Sequence, residues 1–252
     1  MKVYYFLQSP DNSHRSNQHL DQCDYEPAPV LQSIKHLREY QCPSVREYYH
    51  NVFVVPSFWD FDFEVNQQGI RPRGLPYFVP HRQLGQLAAD PQLYQYANMN
   101  LDPWVFCEEN DYAIQIVPGL TVFPEHSCDV EFLPATCAHN DFTTKCSLIT
   151  GRWDAGMWLR PMSVAFRFRK GFDHLQIGRG DHVSYVKICT PEPVEWVRVQ
   201  RTPEISQVIG QNLSFKRIKP RCPMHKLYEH FDQTRQRVLD ICEANRWPEK
   251  QQ

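Results

Sequence analysis

The sequence predicts a mainly β protein: an antiparallel, jelly-roll-like (cupin-like) β-sandwich with helical extensions, including a carboxyl-terminal α-helix. Three observations predict it. Apolar runs of four to eight residues recur from Asn51 to Val199, bounded by Gly, Pro, Asn or His, the pattern of strands joined by turns. In MSVAFRFR, Val164, Phe166 and Phe168 alternate with Ser163, Ala165, Arg167 and Arg169, a period of two that sets one face on a core. Near the carboxyl end the period changes, and Leu227, Phe231, Val238, Ile241 and Cys242 fall on one stripe of a long helix.

Taken in order, Val3 to Leu7 form a first short strand, and residues 9–29 are polar and turn-rich, a surface loop. Val30, Leu31, Ile34 and Leu37 follow Pro29 at helical spacing and predict about two turns of helix. From Asn51 to Val65 the alternation runs on both sides of Pro56, which predicts two strand segments with a break at the proline. Residues 66–103 are rich in Pro, Gly and Gln, with a short helix expected around Gln83–Ala89. The segments WVFC, YAIQIV, DVEFL, KCSLIT, HLQI, HVSYVKI and VEWVRV then read as strands. Thr202 before Pro203 is the cap of a short helix, and a helix of about six turns is expected from Pro223 to near Asn245. The 252 residues make a single domain, with the sandwich core over 41–201 and a helical extension over 202–248.

A chain of this size buries roughly 70–75% of its unfolded surface and needs no staple. Its nine cysteines are odd in number and show no C-x-x-C spacing, the usage of free thiols in a reducing compartment. A net charge of -2 at pH 7 gives no strong nucleic-acid signal. MKVYYFLQSP is too short and broken for a signal peptide, and no window of about 18 apolar residues spans a membrane. The expectation is a soluble protein.

Several constellations are candidates for chemistry. His139 and Asp141 form an H-x-D pair that would share a face on a strand. With His182, or His174, they would complete the two-His-one-carboxylate triad of a jelly-roll Fe(II) oxygenase, with Arg198 for an oxo-acid cosubstrate. The competing reading is a turn, in which Asn140 and Asp141 bond to backbone. Cys128 beside His126, and Cys146, are the thiols nearest a base or strand context, but free cysteines ordinarily serve as small core residues. Arg179-Gly180-Asp181 reads as a turn. Arg71, Arg73 and Arg82 offer either an anion patch or a solvated loop.

The segment GRWDAGMWLRP, residues 151–161, connects two strands and is not itself a strand on this reading. Trp153 and Trp158 each bury on the order of 200 Å² when packed and would plug one end of the sandwich. Arg160 would stack on a ring or pair with Asp154. The functional alternative makes Trp153, Asp154, Trp158 and Arg160 a ligand pocket.

GRWDAGMWLRPMSVAFRF, RGDHVSYVKICT and CPSVREYYHNVFVV resemble a group of uncharacterised proteins encoded by large tailed phages, notably marine cyanophages. The resemblance runs from about residue 40 to the carboxyl-terminal helix. Cys42, Pro43, Asn51, Gly151, Asp154, Trp158, Arg160, Pro161, Gly180, Asp181, Tyr185 and Val186 fit the group's pattern, while Ala155 and His182 depart from it. The resemblance implies a phage or marine microbial origin and a jelly-roll-like fold. It implies no chemistry.

The expected function is a binding or structural role, in the host cytoplasm or the virion, through an unknown protein partner or self-assembly. No cofactor is expected on that reading. The alternative is the Fe(II) oxygenase built on His139, Asp141 and His182.

Overall fold

A computed structural model describes residues 1–7, 23, 25–66, 69–73, 100–103, 112–116, 118–218 and 223–248. The strands of the amino-terminal half are β1 (Lys2–Leu7), β2 (Val52–Pro56), β3 (Phe61–Asn66), β4 (Gly69–Pro72), β5 (Asn100–Pro103), β6 (Tyr112–Ile116) and β7 (Leu120–Pro124). They are followed by β8 (Asp129–Leu133), β9 (Cys146–Ile149), β10 (Arg152–Asp154), β11 (Val164–Phe168), β12 (His174–Ile177), β13 (His182–Ile188) and β14 (Glu195–Arg198). The helices are α1 (Val30–Ser33), α2 (Pro43–Tyr48), α3 (Asp141–Lys145), α4 (Pro203–Ile218) and α5 (Met224–Ala244).

The protein is mainly β, with several antiparallel sheets and few helices. Among the described residues the sheets are ordered β14-β1-β7, β10-β8-β13-β2, β5-β6-β11-β9 and β12-β3-β4. Every pairing is antiparallel except one: β1 runs parallel to β14, with Val3 opposite Trp196. All four sheets turn a face to one core, to which β1 gives Val3 and Tyr5, β3 gives Phe61 and Phe63, and β11 gives Val164 and Phe166. The alternation Phe61, Phe63, Val65 against Asp62 and Glu64 holds as a buried and a half-exposed face of β3.

The strand β1 buries both faces. Tyr4 and Phe6 point away from the main core into a second cluster, where Ile205, Val208 and Ile209 of α4 and Val238, Ile241 and Cys242 of α5 cover them. The chain then returns to the sheet: Trp247 N–H donates to Arg198 O at 2.8 Å, and Gln200 N–H to Asn245 O at 2.8 Å. Burial of this kind is worth about 1.5–3 kcal/mol per large apolar side chain, which is why the helical layer adheres.

Several local expectations change. Thr202 does cap α4, its hydroxyl accepting from Ile205 N–H at 3.2 Å, but the helix runs 16 residues and is not short. The predicted two-turn helix after Pro29 lasts only from Val30 to Ser33, and a 3-10 turn over Arg38–Gln41 follows. Leu37, the last residue of the predicted stripe, lies beyond the helix and is exposed. The expected helix at 83–89, the strand WVFC and Arg82 lie outside the described residues.

Glu243 ties α5 to β1. Its carboxylate accepts from the Tyr4 hydroxyl, from Arg246 Nε at 2.6 Å and from Lys2 Nζ at 3.4 Å. The Tyr4 bond, with Arg246 and Lys2, holds its carboxyl below the usual carboxylate range. A depressed carboxyl stabilises the fold fully above its unfolded pKa of about 4.3 and loses that contribution as pH falls through the lower folded value. The wild type is therefore expected to lose stability more steeply than Glu243→Gln below about pH 4.3, as read by thermal melts across acid pH. Parallel curves would rule this tie out.

Candidate functional site

The segment 151–161 turns out to be a latch for α5. Contrary to the expectation of an irregular connection, Arg152–Asp154 is a strand, because its backbone pairs with β8 from Arg152 opposite Glu131 to Asp154 opposite Asp129. After it the chain turns tightly. The backbone at Gly156 lies so close to His126 that a Cβ there would sit 2.7 Å from His126 O, so no side chain fits. The Asp154 carboxylate accepts from Gly156 N–H at 2.9 Å and from the Ser127 hydroxyl. It closes the turn and does not pair with Arg160.

Trp158 is 3% exposed and stacks on Phe231 of α5, ring centroids 6.4 Å apart at 9°. Two more bonds reach the same helix: Asp154 N–H donates to the Tyr228 hydroxyl at 2.9 Å, and Arg235 Nη2 donates to Glu125 O. The Arg160 guanidinium lies 4.8 Å from the Trp158 ring centroid and 5.8 Å from that of Trp153, while its Nη2 donates to the Ser163 hydroxyl. Three of the four proposed pocket residues, Trp153, Trp158 and Arg160, therefore come together, as a ring–cation–ring stack. Trp153 spends its other side on Phe132, at 5.1 Å. Trp158 is buried in packing, Trp153 is half-buried, and the Asp154 carboxylate is bonded to Ser127 and Gly156.

The H-x-D pair is not on a strand. Asn140 is the N-cap of α3, its side chain accepting from Thr143 N–H at 2.9 Å and Thr143 Oγ1 accepting from Asn140 N–H at 3.1 Å, a reciprocal capping box. His139 thus precedes the helix and Asp141 opens it, so the same-face argument fails. Both Asp141 oxygens are engaged, one with Lys145 Nζ at 2.8 Å and one with Gln176 N–H at 2.9 Å. Burial alone would raise the Asp141 pKa, but these two partners hold it below the usual range. His182 meets the segment through its carbonyl, which accepts from Asn140 Nδ2 at 2.9 Å; burial lowers the pKa of its ring. His174 bonds Asp62 at 2.9 Å, and Arg198 lies over the Trp247 ring at 4.2 Å. Among the described residues no three His, Cys, Asp or Glu side chains gather to hold a metal.

The two thiols singled out in the sequence, Cys128 and Cys146, are poor nucleophiles. Burial pushes the Cys128 thiol up to about 12, with Asp154 adding to the shift, and burial raises Cys146 as well. Arg71 pairs with Glu64 and Arg73 with Asp62 at 3.2 Å, so the two described arginines of the suggested patch make ion pairs to β3. At the Arg179-Gly180-Asp181 turn, Asp181 accepts from Gly178 N–H at 2.7 Å and Gly180 takes φ 90°, as a backbone-bonded turn requires.

A cleft of about 600 Å³ opens between the 134–144 segment and β9. Ala135, Phe142, Leu148 and Val183 give it apolar walls, and Thr136, His139, Thr144, Ser147 and Arg169 give it polar groups. The capping box of α3 fixes one wall. The pairing of β9 with β11 fixes the other, placing Phe168 opposite Cys146 and so bringing Arg169 to the cleft; Arg169 Nε donates to Cys146 O at 3.1 Å. The volume is that of a small-molecule site, and the lining is mixed, with polar groups set among apolar ones. Of the lining residues, sequence reasoning named His139 and Cys146. The hydroxyl-rich run in ATCAHNDFTTKCS is its signal, whereas Arg169 joins through strand pairing that one sequence does not spell out. No family model, curated protein or solved structure matches this chain.

Proposed function

We propose that the chain is a ligand-binding protein of a tailed phage, acting without catalysis in the host cytoplasm or the virion, on a jelly-roll-like sandwich scaffold. The single observation that carries the binding role is the composition of the 134–148 cleft. It combines apolar walls with hydroxyls, an imidazole and a guanidinium. Burial keeps the Cys146 thiol in its lining protonated, and among the described residues no carboxylate lines the cleft. Such a set recognises and orients; the His139 imidazole is its one group suited to general acid–base work, and no carboxylate among the described lining residues is set beside it. The phage origin and the jelly-roll type are supported by the Gly151–Pro161 and Arg179–Val186 motifs, and the sandwich by the convergence of all four sheets on one core.

The test is a thermal-shift screen of the purified protein against small metabolites and, separately, divalent transition metals. Ser147 is exposed and lines the cleft, so Ser147→Trp fills the cleft at little cost to the fold. A ligand that raises the wild-type melting temperature and leaves Ser147→Trp unmoved supports the reading, since stabilisation follows occupancy. Equal stabilisation of both proteins, or stabilisation by metal alone, overturns it, and the latter would return the oxygenase to consideration.

A further inference from the structure

We infer that the ligand of this cleft is a small hydroxylated anion, a sugar phosphate or a hydroxy acid, whose charged group is bound by Arg169. The inference rests on the reading of the cleft as a binding site and adds the chemistry of its occupant. Electrostatics comes first. Among the described residues Arg169 is the only one lining the cleft with a permanent charge, and neither Asp nor Glu lines it. The nearby Asp141 spends its charge on Lys145 at 2.8 Å, so it does not neutralise the arginine. Among the described residues no carboxylate pairs with Arg169.

The guanidinium is also positioned. Arg169 N–H donates to Lys145 O at 2.7 Å, and its Nε donates to Cys146 O at 3.1 Å. Both bonds fix the arginine over the start of β9, and they leave the Nη groups for a ligand. A fork of donors held in this way matches the two oxygens of a carboxylate or a phosphate.

The hydroxyls supply the second half of the argument. Thr144 Oγ1 donates its proton to Asn140 O at 2.9 Å, which leaves it lone pairs to offer. Thr136 Oγ1 lies 2.7 Å from the Tyr49 hydroxyl, and Ser147 is exposed. An acceptor such as Thr144 calls for a donor on the ligand, and a polyhydroxylated molecule carries such donors at a distance from its anionic group, which inorganic phosphate does not. A molecule with hydroxyl donors at one end and an anionic group at the other satisfies both walls.

The experiment is calorimetric titration of the full chain with glucose 6-phosphate, gluconate, inorganic phosphate and glucose. The two hydroxylated anions are expected to bind, one of them more tightly according to whether phosphate or carboxylate fits the fork. Glucose and inorganic phosphate each lack one recognised feature and should bind at least about tenfold more weakly. Arg169→Gln should weaken the anions by about tenfold or more, with the melting temperature unchanged and Arg169→Lys intermediate. Glucose binding as tightly as its phosphate, Arg169→Gln without effect, or no binding by any probe would overturn the inference. If neutral ligands nonetheless stabilise the wild type and not Ser147→Trp, the cleft remains a binding site and only its assigned chemistry falls.

Discussion

Trp158→Ala is expected to destabilise the protein by about 3–5 kcal/mol, a large part of the roughly 5–15 kcal/mol that holds a domain folded. The indole is 3% exposed and bridges the β10 corner to Phe231 of α5, so its removal leaves a cavity under the helix. The Arg160 guanidinium loses at the same time the nearer of its two rings. Phe231→Ala should cost a similar amount, and the double variant less than the sum, because each ring's loss already breaks the same stack. Trp158→Phe keeps a ring in place. It also removes the indole Nε1–H, which is buried without a hydrogen-bond partner, so its cost should be much smaller. Denaturant unfolding measures all four. Full stability in Trp158→Ala would show that the corner does not hold the helix.

Asn51→Ala is expected to cost about 2–4 kcal/mol through two separable causes. Asn51 has φ 53°, a left-handed conformation that alanine adopts only at a penalty of about 1–2 kcal/mol. Its side-chain amide donates to Thr190 O at 2.9 Å and to Glu192 O at 2.8 Å, bonds each worth about 1 kcal/mol. They tie the turn before β2 to the segment after β13. Asn51→Gly keeps the backbone freedom and loses only the two bonds, so it should cost about half as much. Equal losses for the alanine and glycine variants would place the whole effect in the side chain.

These two positions also show what was legible in the sequence. Strand identity was, where period two is strong: β3 and β11 follow the alternation of Phe61 to Val65 and of Val164 to Phe168. The carboxyl-terminal helix was legible for the same reason at its own period, and it runs from Met224 to Ala244. Short helices were not, because Val30–Ser33 is too brief for periodicity to set its end. Partners across the fold were not either. Trp158 finds Phe231, and Arg169 comes to His139's cleft, through contacts distant in the chain. The H-x-D pair misled because two residues at i and i+2 share a face only on a strand, and Asn140 caps a helix instead. The left-handed turn at Asn51 had the right residue type for it, but asparagine is common enough elsewhere that the residue alone does not mark it.

The β10 corner holds a helix, and the cleft beside β9 is the proposed ligand site. A single titration of the ¹⁵N-labelled protein with glucose 6-phosphate tests both. The account predicts amide shifts within 134–148 and at Arg169 and Val183, with the indole N–H signals of Trp153 and Trp158 unmoved. Shifts of those two indole signals, with the cleft amides silent, would contradict it and make the tryptophan–arginine stack the binding site.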